Sequence, residues 1–194
     1  MNLSVKEIFY SLQGEGGRQG EASVFIRLTG CNLACTFCDT DYNGGIIMSV
    51  DRILSEISSY PCRWIIWTGG EPMLQLNDEI ISLFNWNGFF QAIESNGHYP
   101  LSGLLDYTVV SPKGDIGYAR TINPKVNEIR LPVRRGDCLP EMMLLPEAEY
   151  YFLSPVFTGE MESTRDNINY CVSQIQRDNR WRLSVQMHKL IGIE

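Results

Sequence analysis

Trp64-Ile65-Ile66-Trp67-Thr68-Gly69-Gly70-Glu71-Pro72 is the stretch that decides the fold. Four apolar residues in a row, aromatic or β-branched, read as a short strand, and Thr68-Gly69-Gly70 ends it. Upstream, Asp51 to Ser59 reads as a helix with Ile53, Leu54 and Ile57 on one face and Ser49 as a candidate N-cap. Before that, Val24-Phe25-Ile26-Arg27-Leu28 is a strand, and Val5 to Tyr10 alternates until the glycine-rich turn Gln13-Gly14-Glu15-Gly16-Gly17. Downstream, Glu79 to Phe84 is helical, and Phe89 to Ile93 is a strand that ends in Glu94-Ser95-Asn96-Gly97. Strand, helix, strand, helix, strand at this spacing predicts a parallel sheet with right-handed crossovers.

Further strands are expected at Tyr107–Val110, Glu128–Val133 and Tyr150–Leu153. The segments between them are rich in Pro and Gly and show no helical period, so these two crossovers read as stripped of helices. A helix returns at Thr164–Gln176. A complete eight-unit βα barrel needs about 250 residues. At 194 residues the chain predicts an α/β fold that is an incomplete, shortened parallel βα barrel, in one domain over residues 1–194. In such sheets active sites gather at the carboxyl ends of the strands.

Composition narrows the function. A net charge of −7 argues against a general nucleic-acid binder. Arg130, Arg134 and Arg135 form the one basic cluster, and interrupted by Leu131-Pro132-Val133 they read as a solvated strand end. No apolar run approaches the roughly 20 residues of a membrane span. Met1 to Glu7 shows no apolar signal region, and the expectation is a reducing cytoplasm.

Cys31, Cys35 and Cys38 leave the strand Val24–Leu28 in the spacing Cys-x3-Cys-x2-Cys, with no fourth Cys or His within reach. Iron–sulfur clusters are held by cysteine thiolates, usually four. Three in one loop can hold three irons of a [4Fe-4S] cube and leave the fourth open to a small molecule. A structural zinc site wants four ligands, so its missing partner would have to come from elsewhere in the fold. Cys62, Cys138 and Cys171 are scattered singly and are expected as small buried apolar residues.

Other polar groups fall at the strand ends. Gly69 and Gly70 permit close backbone approach, and Glu71 offers a carboxylate to an ammonium group, unless the motif is a plain strand-to-helix turn. Ser111-Pro112-Lys113 and Glu94–Gly97 are either site residues or ordinary polar turns. Arg27 lies within an apolar strand, where its fork would suit a carboxylate, unless it faces outward. Thr40, flanked by Asp39 and Asp41, offers oxygens to a hard cation or is merely solvated.

The cysteine motif followed by Gly69-Gly70-Glu71-Pro72 resembles the radical S-adenosylmethionine (SAM) superfamily. Within it, the chain is similar to the 7-carboxy-7-deazaguanine synthases of queuosine precursor biosynthesis. The matching residues are Ser11–Gly16, Phe25–Leu33, Cys38-Asp39-Thr40, Glu94–Gly97, Ser111-Pro112-Lys113 and Gln186-Met187-His188-Lys189. The resemblance implies a radical SAM lyase acting on 6-carboxy-5,6,7,8-tetrahydropterin, with a [4Fe-4S] cluster on Cys31, Cys35 and Cys38, SAM, and a Mg2+ on Thr40. It implies SAM contacts from Phe37, Cys38, Asp39, Gly69, Gly70, Glu71, Gly97, Ser111, Pro112 and Lys113, with Ser154-Pro155 closing the adenosine site. The pterin pocket would be lined by Leu12, Gln13, Gly14, Arg27, Ser95 and the terminal carboxylate of Glu194, with Arg27 and Glu15 as catalytic candidates. A homodimer served by an electron donor such as flavodoxin completes the expectation. The rival readings are a glycyl-radical activase and a non-enzymatic zinc-binding interaction module.

Overall fold

A computed structural model describes residues 1–193; Glu194, expected above in the pterin pocket, lies outside the described residues. Its frame is a nine-stranded sheet in the order β3-β1-β2-β4-β5-β6-β7-β8-β9. The strands are β1 (Asn2–Leu12), β2 (Ala22–Leu28), β3 (Ile46–Ser49), β4 (Trp64–Gly69), β5 (Phe90–Ser95), β6 (Tyr107–Val110), β7 (Lys125–Val133), β8 (Glu147–Pro155) and β9 (Trp181–Leu183). From β2 through β9 every pairing is parallel, whereas β1 runs antiparallel to both β2 and β3. The sheet is open, as an incomplete barrel requires.

Helices α1 (Val50–Ile57), α2 (Asp78–Trp86), α3 (Ile116–Ile122), α4 (Met161–Arg177) and α5 (Met187–Ile191) follow the strands. Ser49 caps α1 by accepting from the Arg52 amide, and Asn77 caps α2 through the Ile80 amide. The crossover from β6 to β7 is not stripped: it carries the two-turn α3, capped by Asp115. Its apolar face is nearly absent, since Ala119 is its one buried residue, so no helical period marks it. The β7–β8 crossover holds only a single 3-10 turn at Met142–Leu144, as expected.

Period-two alternation sorts the strands into two faces. Val24, Ile26, Leu28, Ile65, Trp67 and Ile93 pack outward against Ile53 and Ile57 of α1 and Ile80, Ile81 and Phe84 of α2. A second core joins Ile129, Leu131, Val133 and Leu153 to Cys171 of α4 and Trp181. Cys171 is buried as expected, and burial pushes its thiol up to about 12. Cys138 is instead exposed, and Cys62 is half-buried with Sγ 3.1 Å from the Ala22 carbonyl oxygen.

The opposite, inner face begins with Phe25, Ile66 and Ala92, packed with Phe9, Trp64 and Tyr107. Beyond them toward the carboxyl ends it turns polar. The β1–β2 hairpin tip folds under the sheet and closes this inner face from below. There the Gly16 amide donates to Ser184 Oγ (2.9 Å) and the Gly17 amide to Glu128 Oε2 (3.0 Å). Arg18 lies 3.6 Å over the Trp64 ring.

Candidate active site

Between the hairpin tip and the strand carboxyl ends lies a cavity of about 600 Å³. The loop after β2 brings Cys31, Cys35 and Cys38 to its rim as free thiols, together with Phe37, Asp39 and Thr40. The Leu33 amide donates to Cys31 Sγ at 3.4 Å, the kind of donor that supports a thiolate. Burial raises the Cys31 pKa, and the neighbouring Cys35 and Cys38 add to the rise. Like-charge repulsion of that sort is relieved when a cationic centre binds the three together. Among the described residues no three His, Cys, Asp or Glu side chains converge on a single ion. A cube assigns each thiolate to a different iron, so the donor set fits an open [4Fe-4S] site.

The glycine pair works differently from the simplest expectation. A Cβ on Gly70 would stand 1.8 Å from the Gly30 carbonyl oxygen, and one on Gly69 2.1 Å from that of Leu28. Gly69 also has φ +124°. The close approach is therefore to the neighbouring chain at the root of the cysteine loop, locked by Gly70 N–Leu28 O (3.2 Å) and Glu71 N–Gly30 O (2.9 Å). Gly69 and Gly70 still line the cavity. Glu71 is fully buried behind them, and its carboxylate accepts from the Met73 amide, Ser95 Oγ and the Asn96 amide. Burial raises its pKa against those three hydrogen bonds.

Arg27 lines the cavity and is half-buried, with Nε donating to Glu7 Oε1 at 2.6 Å. Leu12, Gln13, Gly14, Glu15, Ser95, Ser111 and Lys113 share the same walls. Lys113 donates its ammonium to Ser111, and burial lowers its pKa. Gly97 and Pro112 stand behind the wall: a Cβ on Gly97 would press on Val110 at 2.7 Å, and Pro112 is buried. Both acids that flank Thr40 are paired with lysines, Asp41 with Lys6 (2.6 Å) and Asp39 with Lys189. Thr40 keeps its place at the rim. Ser154 and Pro155 line the wall from the end of β8.

Arg130 is the clearest correction. It is not a solvated strand end: its side chain is 7% exposed and it faces the cavity. Nη1 bonds Glu15 Oε2 and Glu94 Oε1, both at 2.9 Å, and Nε bonds Glu128 Oε1 at 2.8 Å. Arg134 and Arg135 are exposed as expected, Arg135 paired with Asp166 and Arg134 over the Phe37 ring. Desolvation would raise Glu94, but Arg130, Gln13 and Thr68 outweigh it and hold its pKa below the ordinary value. For Glu15 burial wins over Arg130, and the pKa is raised. His188 of α5 closes the last gap, packed so tightly on Gly14 that a Cβ there would meet Nδ1 at 2.1 Å.

The comparisons with known proteins agree with this geometry. Residues 25–111 match the model of the radical SAM superfamily. A 7-carboxy-7-deazaguanine synthase of Bacteroides thetaiotaomicron is 42% identical over 193 residues, covering 100% of both chains. That of Caulobacter vibrioides is 36% identical over 216 aligned positions, again covering 100% of both. The crystal structure of QueE from Escherichia coli superposes with a TM-score of 0.73 at 26% identity, covering 97% of this chain and 95% of that one. A shared fold and 36–42% identity along the full length of both relatives make this chain a member of the 7-carboxy-7-deazaguanine synthase family of radical SAM proteins.

Proposed function

We propose that the chain converts 6-carboxy-5,6,7,8-tetrahydropterin to 7-carboxy-7-deazaguanine with loss of ammonia. The observation that carries this is one cavity lined both by three cluster-type thiols and by a polar pocket that holds Arg27 and the carboxylates of Glu15 and Glu94. The [4Fe-4S] cluster and SAM supply the one-electron chemistry by which a hydrogen atom leaves the substrate.

The protein's own groups place and enclose. Cys31, Cys35 and Cys38 would hold the cluster, and the Gly69–Gly70 contact fixes the root of the loop that carries them. Phe37, Asp39, Ser111 and Lys113 bound the SAM side, with Gly97, Pro112 and Glu71 stiffening it from behind. On the pterin side, Arg27 takes the substrate carboxylate with the N–H donors that Glu7 leaves. Leu12, Gln13, Gly14 and Ser95 line the ring. Glu15, which burial makes easier to protonate than an ordinary carboxylate, is the acid–base candidate for the ammonia-releasing step. Thr40, at the rim, would ligate a Mg2+, which would supply charge neutralisation for the substrate carboxylate. A single domain, a homodimer, a flavodoxin-type electron donor and a cytoplasmic setting complete the reading. The absence of any described helix long and apolar enough to cross a membrane is compatible with it.

Anaerobic reconstitution with iron and sulfide, followed by SAM, reductant and the carboxypterin, tests the proposal. A product mass lower by one ammonia is expected; an iron-loaded chain that cleaves SAM yet leaves the pterin unchanged would overturn it.

A further inference from the structure

The buried charges around Arg130 do not balance. Glu15, Glu94 and Glu128 surround one guanidinium. The groups facing the two cavity carboxylates are Arg130 and Glu128 from β7, Tyr107 from β6, Lys113 beyond β6, Arg27 from β2 and His188 from α5. Of the other cations, Arg27 pairs with Glu7, and Lys113, which donates to Ser111, lies within electrostatic reach of Glu15, so three carboxylates still outnumber two cations. The fork itself is anchored from behind, because Glu128 accepts from the Gly17 amide and the Tyr107 hydroxyl, both at 3.0 Å. A single nitrogen then bridges Glu15 and Glu94, so their oxygens cannot stand farther apart than two hydrogen bonds.

We propose that Arg130 is a positioning residue: anchored on Glu128, it holds Glu15 and Glu94 side by side as an acceptor pair for the N–H edge of the occupant. The inference rests on the reading of the cavity as a pterin pocket. A surplus of buried acceptors calls for a ligand rich in N–H donors, as an amino-pyrimidine edge is. Arg27 lies two strands from Glu94 on the same sheet, in register with the Thr68 that donates to Glu94, so the two poles fix which way round a molecule carrying a carboxylate at one end and N–H groups at the other can enter.

The test compares native protein with Arg130→Lys and Arg130→Met, each reconstituted with iron and checked for fold by circular dichroism. Binding of 6-carboxypterin is titrated by calorimetry from pH 5 to 8, and kcat and KM are measured over the same range. Lysine keeps the charge but cannot span three carboxylates. At neutral pH it should therefore weaken binding about tenfold or more, mainly through KM. Loss of the fork makes both carboxylates easier to protonate, so the acid limb of binding should move up by about one pH unit. Lysine or methionine variants that match native affinity and pH profile would overturn the proposal. So would a loss uniform at every pH, or failure of both variants to fold, since either makes Arg130 scaffold alone. If native protein binds no 6-carboxypterin and does not turn over the reduced substrate, the pterin reading has failed instead.

Discussion

At the residue scale, the glycine pair and Glu71 show how a motif named for its ligand is built mainly for its neighbours. Gly70→Ala should push the Gly30 carbonyl and displace the cysteine loop, so reconstituted protein should hold clearly less iron per chain than native. Gly88→Ala, at φ +78° with open space around it, is the control: it should cost only the roughly 1–2 kcal/mol of a left-handed backbone and leave iron unchanged. Glu71→Gln keeps one acceptor oxygen for three donors and should lower stability by about 1–3 kcal/mol. Because the folded pKa of Glu71 is raised, its stabilising contribution is complete at low pH and lost as pH climbs through that raised value. The deficit of the glutamine variant, read by thermal melts, should therefore be largest in acid and narrow toward neutrality. Thr40→Ala should leave cluster assembly intact and weaken the Mg2+ dependence of turnover; an unchanged Mg2+ response would remove Thr40 as the ligand.

At the element scale, the hairpin between β1 and β2 decides whether the cavity has a floor. Its glycine-rich turn is legible in the sequence, and so are the strands on either side, because alternation and paired glycines are local signals. What lies beneath the turn is not. Arg18 is buried over Trp64 with Tyr107 beyond, contacts between residues far apart in the chain that no local signal carries. Arg18→Ala should cost about 2 kcal/mol through the lost, desolvated cation–π contact, measured by chemical denaturation. It should also speed hydrogen exchange at the Gly17 amide. β7 reads as a strand, but which of its side chains face the cavity does not, for a related reason. Both its faces are buried, so hydrophobic alternation gives no clue that Glu128 and Arg130 point inward. A motif search for metal or cofactor residues passes over them because neither carries a recognisable spacing. Only the charge excess, three carboxylates on one buried arginine, marks them once the fold is known.

At the scale of the whole molecule, the open parallel barrel was legible from the strand–helix rhythm, and the thiol loop from its spacing. The antiparallel β3, the short β9 and α5 were not, being too brief to show a period. α5 nevertheless joins the two halves of the site: Lys189 and Gln186 reach Asp39 on the cysteine loop, while the Met187 amide donates to the Gly14 carbonyl. Hydrogen bonds from Lys189 and Gln186 overcome burial and hold the Asp39 pKa below its usual value. Stability from this tie is therefore present above the ordinary carboxylate range and lost as pH falls through the depressed value. Acid should release α5 before the sheet melts, seen as early loss of protection at the Met187 amide in native-state hydrogen exchange.

The floor of the cavity also has a history. Gly16 and Gly17 leave the ribosome early, yet their partners Ser184 and Glu128 lie 168 and 111 residues further along. Closing loops of that length is slow, and the hairpin cannot be secured until most of the polypeptide has been made. Until Glu128 and Ser184 have been made, the Gly16 and Gly17 amides lack the partners that hold this turn beneath the sheet.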